Sequence, residues 1–468
     1  MRKSGYTDFE KNKKGRVHSV KNLRPGWQIM KKVYPGISSG GKRFRGGVRP
    51  PESKDTSTFA ISRLNSPEKV YIHLLGSAGA PSKAVVSAGE RVLKGQVIAE
   101  PVGRISSFIH SPISGTVQDI KNWPHVSGKR LPAIIIANDF KDEEKPRKNL
   151  KNVQQISPSE LVEIVRKSGI VGCGGAAFPT DIKLTSSSGK KIETLIINGC
   201  ECEPFLTADE RIIFEKPGDI IEGAKLAARA LAAKNIIIAL EENKGRSAEK
   251  LLRQQDSRIR CVFLPTRYPQ GGEKQLIFAV TGRIVPAGGL PADAGCVVLN
   301  VQTACALYDA LFNGKVLYER VVTLGGLFRK PGNLVIASGT RLTDIIEFRG
   351  GIPDEVDKVI MGGPMMGVAV DNLDVPASKA TSGILLMKAA DAPDYECIRC
   401  LRCASVCPMN LVPRQSYFLY MKGRAYEDAV HCMECGACGY SCPSGIPLVQ
   451  YLKWSKEKLK NVSSAAGR

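Results

Sequence analysis

Two cysteine runs near the end of the chain restrict what it can fold into more than any other feature. The first reads Cys397-Ile-Arg-Cys400-Leu-Arg-Cys403-Ala-Ser-Val-Cys407-Pro408, the second Cys432-Met-Glu-Cys435-Gly-Ala-Cys438-Gly-Tyr-Ser-Cys442-Pro443. Both follow C-x-x-C-x-x-C-x-x-x-C-P, the ligand spacing of paired 4Fe-4S clusters. Three thiolates two residues apart can wrap one cubane, while the fourth, a helical turn further on, reaches the other. Cys397, Cys400, Cys403 and Cys442 are therefore expected to hold one cluster, and Cys432, Cys435, Cys438 and Cys407 the second. A zinc site would use C-x-x-C pairs with a longer spacer. A disulfide framework suits small secreted domains, and no signal-peptide pattern opens the sequence. Thiolate ligands also call for a reducing compartment.

The remaining question is where the electrons come from or go. At 468 residues the chain has room for about three to four domains. It contains no run of about eighteen uncharged apolar residues, so no transmembrane helix is expected, although docking on a membrane complex stays open. The formal net charge is +22, from 67 basic and 45 acidic residues. Much of it lies in residues 1–43, a Lys- and Gly-rich lead-in broken by Pro25 and Pro35 and read as a flexible basic segment. Nucleic-acid binding would need a recognition helix or aromatics interleaved on a basic face, and neither is visible. Steering of an acidic protein partner is the favoured reading of the charge, with a plain basic tail as the other.

From residue 44 to about 145, short β-type runs are punctuated by Gly89, Gly95, Gly103, Gly115 and Gly128, which favours a small sandwich or barrel. His73, His110 and His125 in this region read as isolated structural histidines. After a charged linker, Ser157 and Glu160 start a helix. The stretch Gly169-Ile-Val-Gly172-Cys173-Gly174-Gly175-Ala176-Ala177-Phe178-Pro179-Thr180 follows, with Lys183 after it. Four glycines in seven residues let backbone approach a ligand closely and present N–H groups to phosphate. Strands Glu193–Asn198, Asn235–Leu240 and Cys261–Leu264 alternate with helices at 217–234 and 245–255, the signature of a doubly wound parallel sheet over 146–315. Asn198-Gly-Cys200-Glu201-Cys202-Glu203-Pro204 tops the first of these strands, where such sheets bind ligands. Gly271-Gly272-Glu273 opens a helix whose N-terminus suits an anion, and Asn300-Val-Gln-Thr303 ends a further strand. Residues 316–390 read as strand, turn, strand, helix, strand. Residues 391–455 hold the cluster motifs, entered by a short hinge at 391–396, and 456–468 form a basic tail expected to be disordered.

The glycine loop, the Asn198–Pro204 strand end, Gly271-Gly272-Glu273 and Asn300–Thr303 occur in one order, and in that order they resemble the flavin and NADH domain of the respiratory complex I flavoprotein subunit. The nearer resemblance is to the RnfC family, peripheral subunits of Rnf-type ferredoxin–NAD oxidoreductases. It also covers the leading Gly46-Gly47-Val-Arg-Pro50-Pro51-Glu52 element, a barrel-sandwich hybrid related to biotinyl and lipoyl carriers, and both cluster motifs. Residues 100–112 lack the hairpin-tip Lys of those carriers, so no swinging arm is expected. The implied fold is multidomain α/β plus β: a barrel-sandwich hybrid, a Rossmann-like FMN and NAD(H) domain, an SLBB β-grasp domain and a C-terminal helical 2[4Fe-4S] ferredoxin-type domain. The resemblance implies non-covalent FMN held by Gly172, Gly174, Gly175, Lys183, Asn198, Glu201, Gly272, Glu273, Asn300 and Thr303. Phe178 would lie beside the nicotinamide and Glu203 would face the NADH ribose. Ala177 stands where the family has Gly. Cys200 and Cys202 fit the strand-end motif and are not expected to bind metal. The implied activity is exchange of electrons between NAD(H) and ferredoxin. The implied setting is an ion-translocating membrane complex, with this chain peripheral on the cytoplasmic face of the inner membrane and bound to the other subunits. A soluble NADH-dependent reductase of the same family, such as a cobalamin reductase, is the alternative.

Overall fold

The computed structural model describes residues 37–39, 41–147, 150, 152–185, 189–254, 256–389 and 395–466. Residues 1–36 and 40 of the segment 1–43 expected to be flexible, residues 391–394 of the expected hinge 391–396 and the last two residues lie outside them.

The central unit is a five-stranded, all-parallel sheet in the order Ile37–Ser39, Ile259–Leu264, Asn235–Glu241, Thr194–Gly199, Cys296–Asn300. Its strands are near-continuous runs of Ile, Val and Leu because both faces are covered. Side chains alternate along a strand. Leu195 and Ile197 pack with the helices Pro158–Lys167, Pro217–Leu231 and Val301–Phe312, whereas Ile196 packs with Glu273–Thr281. Full burial of one such side chain contributes about 1.5–3 kcal/mol. Ser157 caps the first helix in a reciprocal capping box with Glu160. The helix beginning at Pro217 stops at Leu231, short of the expected Lys234, because Ala232 turns left-handed at φ 50°. Residues 301–303, read as strand end, start a helix capped by Asn300. Gly223 is needed where the two long helices cross, since a Cβ there would meet the Ala304 carbonyl oxygen at 1.9 Å.

Two edges are supplied from far away in sequence. Ile37–Ser39, within the segment read as flexible, pairs in parallel with Ile259–Leu264. Ser62–Arg63 leaves the barrel-sandwich region to extend the SLBB-type sheet beside Gly332–Ala337. That sheet runs Val368–Val370, Lys358–Met361, Gly383–Met387, Glu319–Gly326, Gly332–Ala337, Ser62–Arg63. The barrel-sandwich unit has a four-stranded and a three-stranded sheet. Its longest pairing joins Gly115–Pro124 to Arg130–Asn138. The second of these strands escaped the sequence reading because Pro132 interrupts an otherwise apolar run. His73 and His125 are not isolated: their rings meet edge to face at 4.8 Å.

In the C-terminal unit the two cysteine motifs adopt one local form twice. Arg399 and Glu434 take φ values of 58° and 59°, and Leu401 and Gly436 take 60° and 80°. These are the same positions in each motif. The tail expected to be disordered is instead the end of a helix, Leu448–Ala466. Leu452 is buried, the Ser455 hydroxyl accepts from the Tyr426 amide, and Tyr451 packs edge-on to Tyr417 and Tyr420.

Candidate functional site

The glycine loop lies beyond the carboxyl ends of the central strands. Gly175, at φ +103°, has open space where a side chain would stand, and Gly174 lies against Asn300, with 3.7 Å between its notional Cβ and that of Asn300. The loop is tied down from behind. The Cys173 amide donates to Thr303 Oγ1 (3.0 Å), the Gly172 amide to the Phe178 carbonyl (2.8 Å), and the Ala78 amide of the barrel-sandwich unit to the Ala177 carbonyl (3.0 Å). Ala177 has a left-handed φ of 46°, the conformation that explains a Gly in the family pattern. Its methyl is buried in the core of the central unit rather than projecting into the loop mouth.

Several expected site residues meet at the strand ends. Lys183 Nζ pairs with Glu273 (2.9 Å) and donates to the Val298 carbonyl (3.1 Å). Asn198 Nδ2 donates to the Gly271 carbonyl (2.9 Å), and its side-chain oxygen accepts from the Cys200 amide. Asn300 accepts from the Gln302 amide and donates to Asp209, which Gln302 also binds. Burial and the Glu201 charge push Asp209 up to about 6, with Gln302 and Asn300 opposing.

Glu201 has another set of partners. Its carboxylate accepts from the amides of Asp209 and Glu210, at the start of helix Ala208–Glu215, and pairs with the fully buried Lys244 at 3.3 Å. Burial alone would lower the Lys244 ammonium, but Glu201 and Glu210 hold it above its ordinary value. Lys54 Nζ, which follows the Pro50-Pro51-Glu52 element, donates to the carbonyls of Glu201, Glu203 and Leu206. These contacts brace a strand-end loop in which Glu201 and Phe205 have positive φ.

Glu203 leaves the sheet and binds the SLBB-type unit, accepting from the amides of Met365 (3.0 Å) and Met366 (2.9 Å). Burial pushes its carboxyl up to about 7 against those donors. Gly363 sits directly on it, since a Cβ there would meet Oε2 at 2.3 Å. Phe178 is half-buried at the end of the glycine loop.

The cysteines of the two motifs fall into two neighbourhoods. Cys407, Cys432, Cys435 and Cys438 line one pocket with Met409, Leu411 and Leu452. Burial raises the thiols of Cys432, Cys435 and Cys438, Cys435 to about 11; neighbouring cysteines, Cys407 among them, add to the rise, while backbone amides and, at Cys432, Lys456 oppose it. Cys403 is likewise raised by burial, with Cys397 and Cys442 adding to the shift. Cys400 is exposed beside Ile398 and Leu401. Among the described residues no group of three or more His, Cys, Asp or Glu side chains is placed to hold a single metal ion. Mutually close buried thiols are poor acids until a metal neutralises them, so this donor set fits a cluster.

The Cys435 loop, not the Cys400 loop, meets the central sheet. Tyr268 Oη donates to the Cys435 carbonyl (2.5 Å), Gly436 lies against the Met365 carbonyl, and Gln275 Nε2 donates to the Pro408 carbonyl (3.4 Å). Tyr268, Cys435 and Ala437 pack with Cys202, Met365 and Met433. The Gly47 amide donates to the Val406 carbonyl from the other side (2.7 Å). Sequence reasoning missed Tyr268, Lys54, Asp209 and Lys244. Tyr268 lies three residues before the quoted Gly271-Gly272-Glu273, and Lys54 two residues after the quoted Pro-Pro-Glu element.

A thiolate-lined cavity docked on the ligand-binding edge of a parallel nucleotide-type sheet defines a flavin- and iron–sulfur-containing electron-transfer protein. Residues 42–141 match the RnfC barrel sandwich hybrid domain, 165–309 the Nuo51 FMN-binding domain, 321–369 the SLBB domain and 396–446 the 4Fe-4S dicluster domain. The chain is 42% identical to a component of the proton-translocating ferredoxin:NAD(+) oxidoreductase complex of Clostridium ljungdahlii, over 83% of this chain and 86% of that one. It is 39% identical to the corresponding component of the Na(+)-translocating ferredoxin:NAD(+) oxidoreductase complex of Acetobacterium woodii, over 79% and 85%. It is also 39% identical to a component of the ion-translocating oxidoreductase complex of Pseudomonas aeruginosa, over 89% of this chain and 56% of that longer protein. The chain belongs to the RnfC family. Among the described residues no helix is long and apolar enough to cross a membrane.

Proposed function

We propose that this chain exchanges electrons between NAD(H) and a ferredoxin-level partner, as the peripheral subunit of a membrane-bound, ion-translocating oxidoreductase complex. The observation that carries this reading is the contact between the Cys435 loop and the strand-end residues Tyr268 and Cys202, because it joins a nucleotide-binding sheet to a thiolate cavity. Non-covalent FMN, when bound, supplies the exchange between hydride and single-electron chemistry.

The chain's own residues bind and orient. We assign Gly172, Gly174 and Gly175, with Lys183, Asn198, Glu201, Gly272, Glu273, Asn300 and Thr303, to holding and shaping the flavin site. Glu201 acts there by fixing the strand-end loop and Thr303 by fixing the glycine loop. Phe178 and Glu203 are assigned to the NAD(H) side, where positioning is the main requirement. The set Cys407, Cys432, Cys435 and Cys438 holds the cluster nearer the flavin unit. The set Cys397, Cys400, Cys403 and Cys442 holds the outer one, next to the partner. The basic charge suits an acidic partner, and the cytoplasmic face of the inner membrane is the placement that NAD(H) as substrate favours. The barrel-sandwich unit supports membership of a complex over a free-standing reductase.

Reduction of the purified full chain with NADH, followed separately by flavin absorbance and by EPR of the clusters, tests the reading. Bleaching of the flavin and then appearance of cluster signals is expected. Absence of extractable FMN, or of bleaching on adding NADH, would sink it.

A further inference from the structure

Two cations from the SLBB-type unit are buried under the glycine loop, and neither pairs with a carboxylate among the described residues. Lys379 is 5% exposed; its Nζ donates to the carbonyls of Gly169 (2.7 Å) and of Phe108 in the barrel-sandwich unit (3.1 Å). Arg320 is 6% exposed; its guanidinium donates to the carbonyls of Cys173 (2.9 Å) and Lys379 (2.7 Å). Three domains therefore meet on one loop. Gly169 is fixed there by space as well: at φ +61° a Cβ would meet the Phe108 carbonyl oxygen at 2.4 Å and Lys379 Nζ at 3.0 Å.

Two consequences follow from elementary chemistry. In a trans peptide the C=O and N–H point in opposite directions. By holding the Cys173 carbonyl on the inner side, Arg320 turns the Gly174 N–H outward, towards the side where Gly175 has open space. Outward-turned amides in a glycine loop make an anion-binding concavity. The second consequence concerns charge. A buried cation is costly unless an opposite charge or several dipoles compensate it. Here carbonyl dipoles hold both heads, and the acidic neighbour of Arg320 is Asp209, itself bound by Asn300 and Gln302. Burial pushes the Lys379 ammonium down to about 7, so at neutral pH it contributes less than a full charge. The residual positive potential is directed at the loop.

We propose that Arg320 and Lys379 are positioning residues of the flavin site: they set the loop with its amides outward and supply positive potential to the anionic cofactor. This rests on the reading of the loop as the FMN site. The test uses the full chain, stripped of flavin, with its clusters intact. It measures Kd for added FMN and the midpoint potential of the bound flavin in the wild type and in Arg320→Met, Arg320→Lys and Lys379→Met.

Arg320→Met is expected to raise the Kd at least tenfold and to shift the flavin potential negative. Arg320→Lys, which keeps the charge but not the two-carbonyl span, should recover most of the potential and only part of the affinity. Lys379→Met should shift both readouts the same way by a smaller amount, and it decides the matter if Arg320→Met does not fold. Wild-type Kd and potential in Arg320→Met, or in Lys379→Met where that variant decides, overturn the proposal. A wild-type chain that binds no FMN overturns the flavin reading and this proposal with it.

Discussion

Replacing Glu203 by Gln removes a charge that the fold holds at a cost, and the size of that cost can be worked out. Burial raises this carboxyl from 4.5 to about 7, although the amides of Met365 and Met366 pull it down. The folded chain therefore binds a proton at Glu203 more tightly than the unfolded chain does. Between those two values it carries more protons than the unfolded chain, so stability falls as pH rises through them. The contribution is fully present below pH 4.5 and is lost by about pH 7. The whole span corresponds to roughly 3 kcal/mol. Glu203→Gln cannot ionise and keeps one acceptor, so its loss of a hydrogen bond is an offset independent of pH. Asp209, at about 6, and Glu241, at about 8, titrate in the same range, but both remain in the variant and cancel in the difference. Urea denaturation of both proteins from about pH 5 to pH 8 reads the effect. Relative to the wild type, the variant should gain roughly 2–3 kcal/mol across that interval. Parallel profiles would show that Glu203 is not held at a cost, and the account of its contact with the SLBB-type loop would fail.

Three further outcomes are expected. Iron analysis of Cys400→Ala should give about four irons per chain instead of about eight, and a value near eight would refute the ligand division. Lys244→Met leaves Glu201 and Glu210 without their buried cation and should cost about 3–5 kcal/mol; adding Glu210→Gln should return part of that loss in the same denaturation measurement. Ala177→Gly should change stability by less than about 1 kcal/mol, because relief of a left-handed Ala, worth about 1–2 kcal/mol, is offset by a lost buried methyl and a freer unfolded backbone. A large loss of FMN affinity in that variant would show that the methyl serves the loop and not the core.

The sequence by itself determined those features that depend on local spacing. The order of eight cysteines is covalent, and the helical turn before Cys407 and Cys442 is what assigns each to the other set; in the fold Cys407 lines a pocket with Cys432, Cys435 and Cys438. The parallel sheet was legible because strands buried on both faces are written as unbroken apolar runs. The strand-end motif and the glycine loop were legible because a close backbone approach requires particular residues. The helix over 448–466 was not, since its Lys- and Ser-rich end is held by contacts of Leu452, Ser455 and Tyr451 with residues far back in the chain. Only the tertiary structure decided which thiols face the flavin unit, through Tyr268 and Cys435, separated by 167 residues. The same holds for Lys54 on Glu201, Lys379 on Gly169 and Arg320 on Cys173, at separations of 147, 210 and 147 residues. A lone Lys or Arg carries no local pattern that names its partner. The partner is a backbone carbonyl, which every residue has, and only the packing of domains selects one.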